Sequence, residues 1–514
     1  MYSKIISAVT KGINGIVLFV EADSSNGMPT FVMVGNLSQN VKEAEERIRT
    51  ALHNNDIDIP PKRVTVNITP ADIKKDGTHL DLPLAIAILK SLGYFSEVDI
   101  RNYAFLGEIG LDGKIIATRG ILPMVTSLKE YGIKGVFVPK DNANEASVIG
   151  GIDVYAISHL KEIIKILDSN DNFFSAKTHP KYIYKESEEN YNVDFQDVVG
   201  QNFLKRACEV AVSGNHNILF SGPAGSGKTM IAKRIPTIMP PLSLKENIEI
   251  SKIYSIAGLL SKGATLLLKR PFRAPHHSIT TTTLIGGGNY PIPGEISLAH
   301  NGVLFLDEIP LFSKFCIETL RQPLEDKEIN ITRLKGAYEY PANFMLVAAM
   351  NPCPCGYYPD RNRCNCKITD IRRYQRGISK PILERIDICA EASPLQYKDM
   401  TSNQKGECSK DIRERIKKVR QIQNERFKNY SKINYNAEMT NKEINKFCIL
   451  EEEEKEYLEK IFTVKKLSAR TYHKLLKVAR TIADMGGSEN IKKEHLIEAA
   501  SYRGLEEKLF DELY

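Results

Sequence analysis

The sequence predicts an α/β protein built around a parallel sheet, with a helical region after the sheet. Two observations predict this class. Apolar runs with the length of buried strands, at 218–220, 302–306 and 344–350, alternate with helix-like stretches. This is the order that a parallel sheet requires, because each crossover between parallel strands needs a connecting element such as a helix. Beyond residue 394, apolar residues recur at helical spacing from Ile412 to Val419.

The chain of 514 residues is too long for one hydrophobic core. A first domain at 1–167 alternates strand-like runs such as 15–20 with helical runs such as 82–92, as an α+β domain does. A polar stretch with few aliphatic residues, 168–191, is expected to be a linker. The sheet domain is then placed at 192–394 and the helical domain at 395–514.

Composition and charge limit the classes of protein and of partner. The chain is 42% hydrophobic and 26% charged, and its net charge of +7 permits a polyanionic partner without requiring one. No apolar run reaches the ~20 residues of a membrane span. Because Lys4 and Lys11 interrupt the first apolar stretch, it is not a secretory signal. A cytoplasmic protein with its nine cysteines mostly reduced is expected.

A phosphate-binding loop follows the first strand of the sheet. Eight consecutive residues fit the pattern G-x-x-x-x-G-K-[ST], and the helix after them begins at Met230. Such a loop directs backbone N–H groups and a helix N-terminus at a triphosphate. The expected nucleotide-binding residues are Gly222, Pro223, Ala224, Gly225, Ser226, Gly227, Lys228, Thr229 and Met230. Lys228 would reach the β- and γ-phosphates, and the Thr229 hydroxyl would hold Mg²⁺.

Polar residues end the two following strands. The run 302–306 leads into Asp307 and Glu308. Asp307 would hold the Mg²⁺ shell, and Glu308 would polarise the attacking water. The run 344–350 leads into Asn351, whose side chain can hydrogen-bond the γ-phosphate or the water. The alternative for Asn351 is a residue that only starts a turn before Pro352.

Two later segments resemble motifs of AAA+ ATPases. The segment 381–387 resembles the arginine-finger motif of the magnesium-chelatase and replicative-helicase branch, with Arg385 as the finger. The segment 467–470 resembles sensor 2 of the lid domain, with Arg470 as its arginine. An arginine that acts on a neighbouring subunit implies a closed ring, so the resemblance implies a homo-hexamer. Surface arginines in ordinary ion pairs are the alternative.

Further segments narrow the resemblance to the YifB/ComM family of magnesium-chelatase-like AAA+ ATPases, over nearly the whole chain. The segment 194–201 resembles the adenine-contacting segment of AAA+ proteins and favours ATP. For this family the resemblance implies ATP, Mg²⁺ and DNA branch migration in homologous recombination and natural transformation. The runs that carry the resemblance are 270–277, 286–288, 293–300 and 351–356.

The first domain resembles the Lon-protease/ribosomal-S5-like fold. His79 stands where active Lon proteases carry their nucleophilic serine, and Leu122 stands at the position of their catalytic lysine. Without a Ser–Lys pair there is no activated nucleophile, so protease activity is not expected. A role in ring assembly or in holding DNA is the remaining interpretation.

Four cysteines follow the strand that ends at Asn351. Cys353, Cys355, Cys364 and Cys366 form C-x-C-x₈-C-x-C, and four thiolates can complete a tetrahedral Zn²⁺ site. The spacing differs from the usual C-x₂-C pairs. A structural zinc ion is one interpretation, and free thiols or oxidised pairs are the other.

A β-hairpin with a glycine turn is predicted before the strand 344–350, from the alternating runs 328–333 and 337–340. In the resembled branch this hairpin projects into the ring pore, which makes Arg333 and Lys335 candidates for DNA contact. Solvated turn charges are the alternative.

Three functions stay open for the whole chain: a DNA motor, the ATPase subunit of a metal chelatase, and an ATP-switched scaffold or protease partner.

Overall fold

The computed structural model describes residues 1–182, 191–261, 263–288, 291–333, 336–394, 406–464 and 467–503. The chain divides into two compact units. The first contains Met1–Glu186 and Ser243–Leu268, and the second contains Ser187–Leu242 and Lys269–Tyr514.

The first unit is a mixed seven-stranded sheet with helices and a two-stranded ribbon. Its strands are β1 (Tyr2–Lys11), β2 (Asn14–Ser25), β3 (Thr30–Val34), β4 (Arg63–Thr69), β5 (Tyr103–Phe105), β6 (Glu108–Ile109), β7 (Ile115–Ile116), β8 (Gly135–Pro139) and β9 (Asp153–Ile157). The sheet order is β3-β4-β2-β1-β5-β8-β9, and β6 pairs with β7. The pairs β1–β2 and β2–β4 are antiparallel, whereas the other pairs of the sheet are parallel.

Hydrophobic patterning explains these elements. In β4, Val64, Val66 and Ile68 are buried and alternate with less buried residues, which is the period of a strand with one covered face. The helix Asp81–Ser91 is buried over nearly all of its length, as expected of a helix that is apolar all round. The helices of this unit are Gln39–Lys42, Ala44–His53, Asp81–Ser91, Ile121–Glu130, Ala143–Ser147, Leu160–Leu167, Asn170–Ser175 and Leu244–Ala257.

The segment Ser243–Leu268 enters the first unit from the middle of the sequence. Ser243 and Glu246 form a capping box that starts the helix Leu244–Ala257. Near the end of this helix, the Ser255 hydroxyl donates to the buried Glu145, and the Gly120 N–H donates to the Ser255 carbonyl at 3.2 Å. The domain predicted at 192–394 includes this segment, which the structure groups with the first unit.

The stretch predicted to be a linker begins with the short helix Asn170–Ser175. Phe173 of this helix is 4% exposed, and its ring meets Tyr103 edge to face at 4.9 Å. One aromatic side chain therefore anchors the start of a stretch whose composition is otherwise polar.

The second unit contains a five-stranded parallel sheet in the order β11-β14-β17-β10-β18. Its inner strand β10 pairs Ser221 with Met350 of β17 on one side and with Glu391 of β18 on the other, so the loops after these strands leave at one edge. The strands are β10 (Ile218–Ser221), β11 (Phe272–Arg273), β12 (Gly286–Gly287), β13 (Ile292–Pro293), β14 (Val303–Leu306), β15 (Glu328–Arg333), β16 (Gly336–Pro341), β17 (Met345–Met350) and β18 (Ile388–Glu391).

Helices surround this sheet and form the end of the described chain. They are Asn202–Gly214, Lys228–Ala232, Ile235–Ile238, Thr281–Ile285, Glu295–Leu298, Lys314–Thr319, Arg321–Asp326, Ile368–Gln375, Lys380–Leu383, Ser409–Phe427, Asn441–Phe447, Glu452–Val464, Ala469–Met485 and Lys493–Ser501. Among the described residues, none of the helices combines the length and apolarity that a membrane crossing needs.

The helix Ser409–Phe427 buries Ile412, Ile416 and Val419, as its spacing predicts. Its arginines make internal contacts. Arg413 donates to the Thr237 carbonyl at 2.8 Å, Arg415 pairs with Glu209 at 2.6 Å and with Glu407, and Arg420 donates to the Val212 carbonyl. The positive charge of this helix is therefore largely engaged within the unit.

Candidate active site

The phosphate loop lies between β10 and the helix Lys228–Ala232, at the edge where the parallel strands end. Gly225 and Gly227 have φ values of 76° and 86°, a left-handed conformation that side chains other than glycine rarely adopt. A Cβ atom built on either residue meets nothing within 4 Å. The glycines are therefore needed for the backbone path of the loop, and the space beside them stays open for a ligand.

Lys228 is 7% exposed, and its ammonium group lies against the loop. Nζ donates to the carbonyl oxygens of Gly222 at 2.7 Å and Pro223 at 2.8 Å, and to Asn351 Oδ1 at 3.1 Å. Burial lowers the pKa of Lys228 to about 8, against the opposing effect of Asp307 and Glu308. The cation is held by neutral oxygens that a phosphate can replace.

Thr229 and Asp307 come after β10 and β14, two strands that pair with opposite sides of β17. The Thr229 hydroxyl donates to Asp307 Oδ2 at 2.7 Å, and the Glu308 N–H donates to Asp307 Oδ1 at 3.0 Å. A hydroxyl and a carboxylate at this separation are the oxygen ligands that Mg²⁺ prefers, so the residues fit the ion.

Glu308 follows Asp307 in a left-handed backbone conformation, with φ of 51°. A residue other than glycine pays about 1–3 kcal/mol for such strain, which clusters at functional sites. The side chain is exposed, and it accepts no hydrogen bond from any residue that the structure describes. Its carboxylate is free to orient a water molecule.

Asn351 follows β17 and joins Lys228 to a residue that the sequence did not indicate. Its N–H donates to the Tyr374 hydroxyl at 3.4 Å. Burial raises the pKa of Tyr374 to about 12, so the phenol stays neutral. Tyr374 lies 23 residues beyond Asn351, and no local pattern connects the two.

The segment 194–201 lies beside the loop. The Gln201 amide donates to the Ser226 carbonyl at 3.1 Å and to the Ser393 carbonyl at 2.6 Å. Arg234, in the helical region after the loop, donates to the Asp194 carbonyl at 2.7 Å and to the Asp197 carboxylate at 2.9 Å. Polar contacts therefore hold the segment to the loop at Ser226 and to the helical region after the loop at Arg234.

The two arginines predicted to act on phosphate are held by acids of the same chain. Arg385 is 9% exposed, pairs with Glu325 and donates to the Pro381 carbonyl at 2.7 Å. The exposed Arg470 lies 3.5 Å from Glu384. Within the described residues neither arginine hydrogen-bonds to the phosphate loop of its own chain.

A buried ionic group beside these arginines was missed by sequence reasoning. The Asp387 carboxylate lies 2.6 Å from Lys474 Nζ and 3.5 Å from His216 Nδ1, and it accepts from the Asn217 N–H at 3.1 Å. Burial alone would raise the pKa of Asp387, but Lys474 and then His216 hold it far below its usual range. The sequence did contain a spacing that fits these contacts. Glu384 and Asp387 are three residues apart, and their partners Arg470 and Lys474 are four residues apart on one helix.

The four cysteines form one cluster after β17. All four Sγ atoms lie within 4.8 Å of one another, and Cys353 is 3.3 Å from Cys355 and 3.7 Å from Cys364. Four sulfur atoms that bind a tetrahedral zinc ion at Zn–S distances of about 2.3 Å lie about 3.8 Å from one another. Two sulfur atoms joined in a disulfide are separated by only about 2.05 Å. The cluster therefore fits a Zn²⁺ ion and holds no disulfide.

The cysteine loop also reaches the phosphate loop. A Cβ built on Gly356 would lie 3.3 Å from the Ala224 Cβ atom. The Gln375 amide donates to the Pro352 carbonyl at 3.0 Å and ties the loop to the helix Ile368–Gln375.

Family comparisons agree with this geometry. A family described as "Magnesium chelatase, subunit ChlI" matches residues 194–400, "Subunit ChlI of Mg-chelatase" matches 20–142, and "Magnesium chelatase, subunit ChlI C-terminal" matches 406–503. "Competence protein ComM" of Haemophilus influenzae is 39% identical over 509 residues, which are 98% of this chain and 97% of that protein. "Uncharacterized protein YifB" of Escherichia coli is 39% identical over 501 residues, 97% of this chain and 96% of that protein.

The chain belongs to the YifB/ComM family of magnesium-chelatase-like AAA+ proteins. Membership in this family implies ATPase activity with ATP and Mg²⁺ as ligands. The predicted fold class is confirmed, with a parallel phosphate-loop sheet and a preceding α+β region. A weaker likeness joins the chain to the "Lon protease" of Buchnera aphidicola, 24% identical over 187 residues, which are 34% of this chain and 24% of that protein.

In the first unit of this family member, the residue predicted to stand at the position of the Lon nucleophile is buried. His79 is 6% exposed, and its Nε2 lies 3.0 Å from the Ala8 carbonyl, to which a neutral imidazole can donate. Burial lowers the pKa of His79 to about 4, so the ring is neutral near pH 7. Leu122, predicted to stand at the position of the Lon lysine, is fully buried.

The predicted hairpin is present as β15 and β16, which pair antiparallel from Glu328 with Pro341 to Arg333 with Gly336. Arg333 therefore closes the ladder next to the turn. The Arg333 side chain and the whole of Lys335 lie outside the described residues.

Proposed function

We propose that this protein is an ATP-hydrolysing ring motor that acts on DNA, as a hexamer, and moves branches in homologous recombination and natural transformation. One observation carries the proposal. The Lys228, Thr229–Asp307 and Asn351 contacts surround a single phosphate loop, in a chain that resembles a competence protein over nearly its whole length.

Each residue then has a role in hydrolysis. Lys228 exchanges loop carbonyls for the β- and γ-phosphates, and the loop residues 222–227 with Met230 line the nucleotide. Thr229 and Asp307 hold Mg²⁺, which neutralises charge on the phosphates. Glu308 orients the attacking water. Asn351 contacts the γ-phosphate.

The proposed ring gives the two arginines a second set of partners. Glu325 and Glu384 occupy Arg385 and Arg470 in the single chain. In a ring, Arg385 changes partner to the γ-phosphate bound by the neighbouring subunit, and Arg470 contacts the nucleotide from the lid helix Ala469–Met485. The hairpin residues Arg333 and Lys335 track DNA in the pore, and the first unit is a non-proteolytic part of a cytoplasmic assembly.

We also propose that Cys353, Cys355, Cys364 and Cys366 bind one structural Zn²⁺. The metal content of the purified full-length chain tests this, with about one zinc per chain expected. Changing the four cysteines to serine should remove the metal, whereas Cys408→Ser, outside the cluster, should keep it. A wild-type chain without zinc contradicts the assignment.

The motor function is tested by ATP hydrolysis with and without four-way-junction, single-stranded and duplex DNA. Stimulation by DNA and movement of the junction are expected, and Glu308→Gln should remove both while DNA binding persists. Absence of stimulation and of movement would overturn the proposal.

A second candidate is the ATPase subunit of a metal chelatase, because all three matched family descriptions name that enzyme. The match to 97% of the length of the competence protein favours the DNA motor. ATP hydrolysis that responds to a tetrapyrrole and not to DNA would select the chelatase.

A further inference from the structure

Residues 357–380, at and after the cysteine loop, concentrate positive charge. They contain seven lysines and arginines and two aspartates, a net charge of +5, against +7 for the whole chain. Six of these basic side chains are exposed and form no ion pair within the described part of the chain, and five of the six lie at 361–376. We name these five the basic face: Arg361, Arg363, Lys367, Arg373 and Arg376.

The arginines of the basic helix Ser409–Phe427 in the same unit are arranged differently, because they have partners within the unit. There, Arg415 is paired with Glu209 and Glu407, and Arg413 and Arg420 donate to carbonyls. Like charges that lack acidic partners repel one another, and a polyanion relieves that repulsion. The basic face has the electrostatic character of a binding surface.

Two arginines of the basic face are oriented before any ligand binds. The Arg363 guanidinium lies over the Tyr357 ring, 4.1 Å from its centre, and the Arg361 guanidinium lies 5.0 Å from the centre of the Tyr358 ring. Arg361 also donates to the Cys366 carbonyl at 3.2 Å. A guanidinium stacked on a ring loses less freedom on binding, and its edge remains available to phosphate oxygens.

The basic face is connected to the nucleotide site. Arg373 precedes Tyr374 and Gln375 on one helix, and these two contact the Asn351 N–H and the Pro352 carbonyl. The cysteine loop lies against Ala224 of the phosphate loop. The helix that carries Arg373 therefore contacts Asn351 of the nucleotide site directly.

We propose that the basic face binds the phosphate backbone of single-stranded DNA, and that the four-cysteine cluster holds the loop of this face in place. The proposal rests on the DNA-motor function and adds a second contact besides the hairpin. A single strand is favoured over a duplex because stacked arginine and tyrosine planes suit unpaired bases. Through Tyr374 and Gln375, the bound strand adjusts Asn351 and stimulates hydrolysis.

Anisotropy of a fluorescein-labelled oligothymidylate, titrated with the full-length protein at several salt concentrations, tests the proposal. Arg361→Glu/Arg363→Glu should weaken binding about tenfold or more. The slope of log affinity against log salt should become shallower by about 1.4, because each lost phosphate contact removes about 0.7 for a single strand. Lys418→Glu/Lys460→Glu removes the same charge from exposed positions elsewhere in the second unit and should bind within about twofold of wild type.

Further variants separate a binding role from a folding role. Arg361→Lys/Arg363→Lys keeps the charge and should recover most of the affinity. The glutamate variant should keep the wild-type melting temperature and its DNA-independent ATP hydrolysis, and lose stimulation. If Arg361→Glu/Arg363→Glu and Lys418→Glu/Lys460→Glu bind DNA with equal affinity, the proposed role of the basic face is wrong, and the motor function is unaffected. A wild-type chain that binds no DNA overturns both, and a variant that changes only subunit assembly assigns the face to a neighbouring subunit.

Discussion

The phosphate loop of the second unit and the Lon-like position of the first unit each bury a nitrogen base, yet only one is built for chemistry. Lys228 and His79 are 7% and 6% exposed, and burial lowers the pKa of both. His79 is satisfied by one carbonyl, that of Ala8. Lys228 shares its protons among replaceable loop oxygens beside two carboxylates.

The difference shows that a perturbed pKa does not by itself mark a functional site. What distinguishes Lys228 is the open space beside Gly225 and Gly227, together with Glu308, whose carboxylate has no described partner. His79 lies among core residues, and Leu122 offers no second reactive group. Four measurements distinguish a catalytic Lys228 from a structural His79.

The largest effect is expected for Lys228→Met, which removes the cation and keeps the length of the side chain. ATP hydrolysis should fall about a thousandfold, because charge that develops on the phosphates loses its stabilising partner. Steady-state phosphate release measures the loss. A fall of less than tenfold would mean that the two buried bases are alike in being structural.

Acid should destabilise the first unit through His79 by about 3 kcal/mol in total. The folded-state pKa of about 4 lies below the ordinary 6.5, so the unfolded state binds more protons between these values. Stability is therefore fully present above pH 6.5 and is lost as the pH falls towards 4. Hydrogen exchange of β1 amides at several pH values measures this. His79→Gln keeps a donor for the Ala8 carbonyl but does not titrate, so its stability should depend less steeply on pH. An equal dependence on pH in both proteins would refute the assignment to His79.

Nucleotide binding should take up a proton at Lys228 in alkaline solution. The pKa of about 8 in the free protein means that at pH 9 most Lys228 side chains are neutral, and a bound triphosphate favours the charged form. Affinity for a nonhydrolysable ATP analogue should fall about tenfold per pH unit above 8, or about 1.4 kcal/mol. Calorimetry in buffers of different ionisation enthalpy should find about 0.9 proton at pH 9 and about 0.1 at pH 7. Uptake that persists in Lys228→Met would assign the proton elsewhere.

The smallest effect is expected for His79→Gln on catalysis. Because His79 lacks a reactive neighbour, kcat and KM for ATP should stay within about twofold of wild type at pH 7.5. Casein cleavage should remain at background in both proteins. A large change in kcat with unchanged stability would give His79 a functional role.

Local pattern predicted the parts of the site that follow chain order. The phosphate loop, Asp307 and Asn351 each come directly after an apolar run, and parallel pairing of β10, β14 and β17 brings those ends together. Tyr374 and the Asp387–Lys474 pair depend on contacts across 23 and 87 residues, which periodicity does not report. For the same reason, the sequence did not predict that the helix Leu244–Ala257 belongs to the first unit. Its Ser255 contacts Glu145, which is 110 residues away in the sequence.

That helix has a practical consequence for any attempt to study the motor alone. The chain enters the first unit a second time at Ser243 and leaves it at Leu268. A truncation that starts at residue 187 would delete β1–β9 and retain Leu244–Ala257, exposing the buried Ile250, Ile253 and Tyr254 to water. Such a fragment should aggregate unless residues 243–268 are also replaced by a short polar linker. The first unit is thus no removable appendage, and gene fusion or deletion at a single point cannot separate it from the ATPase.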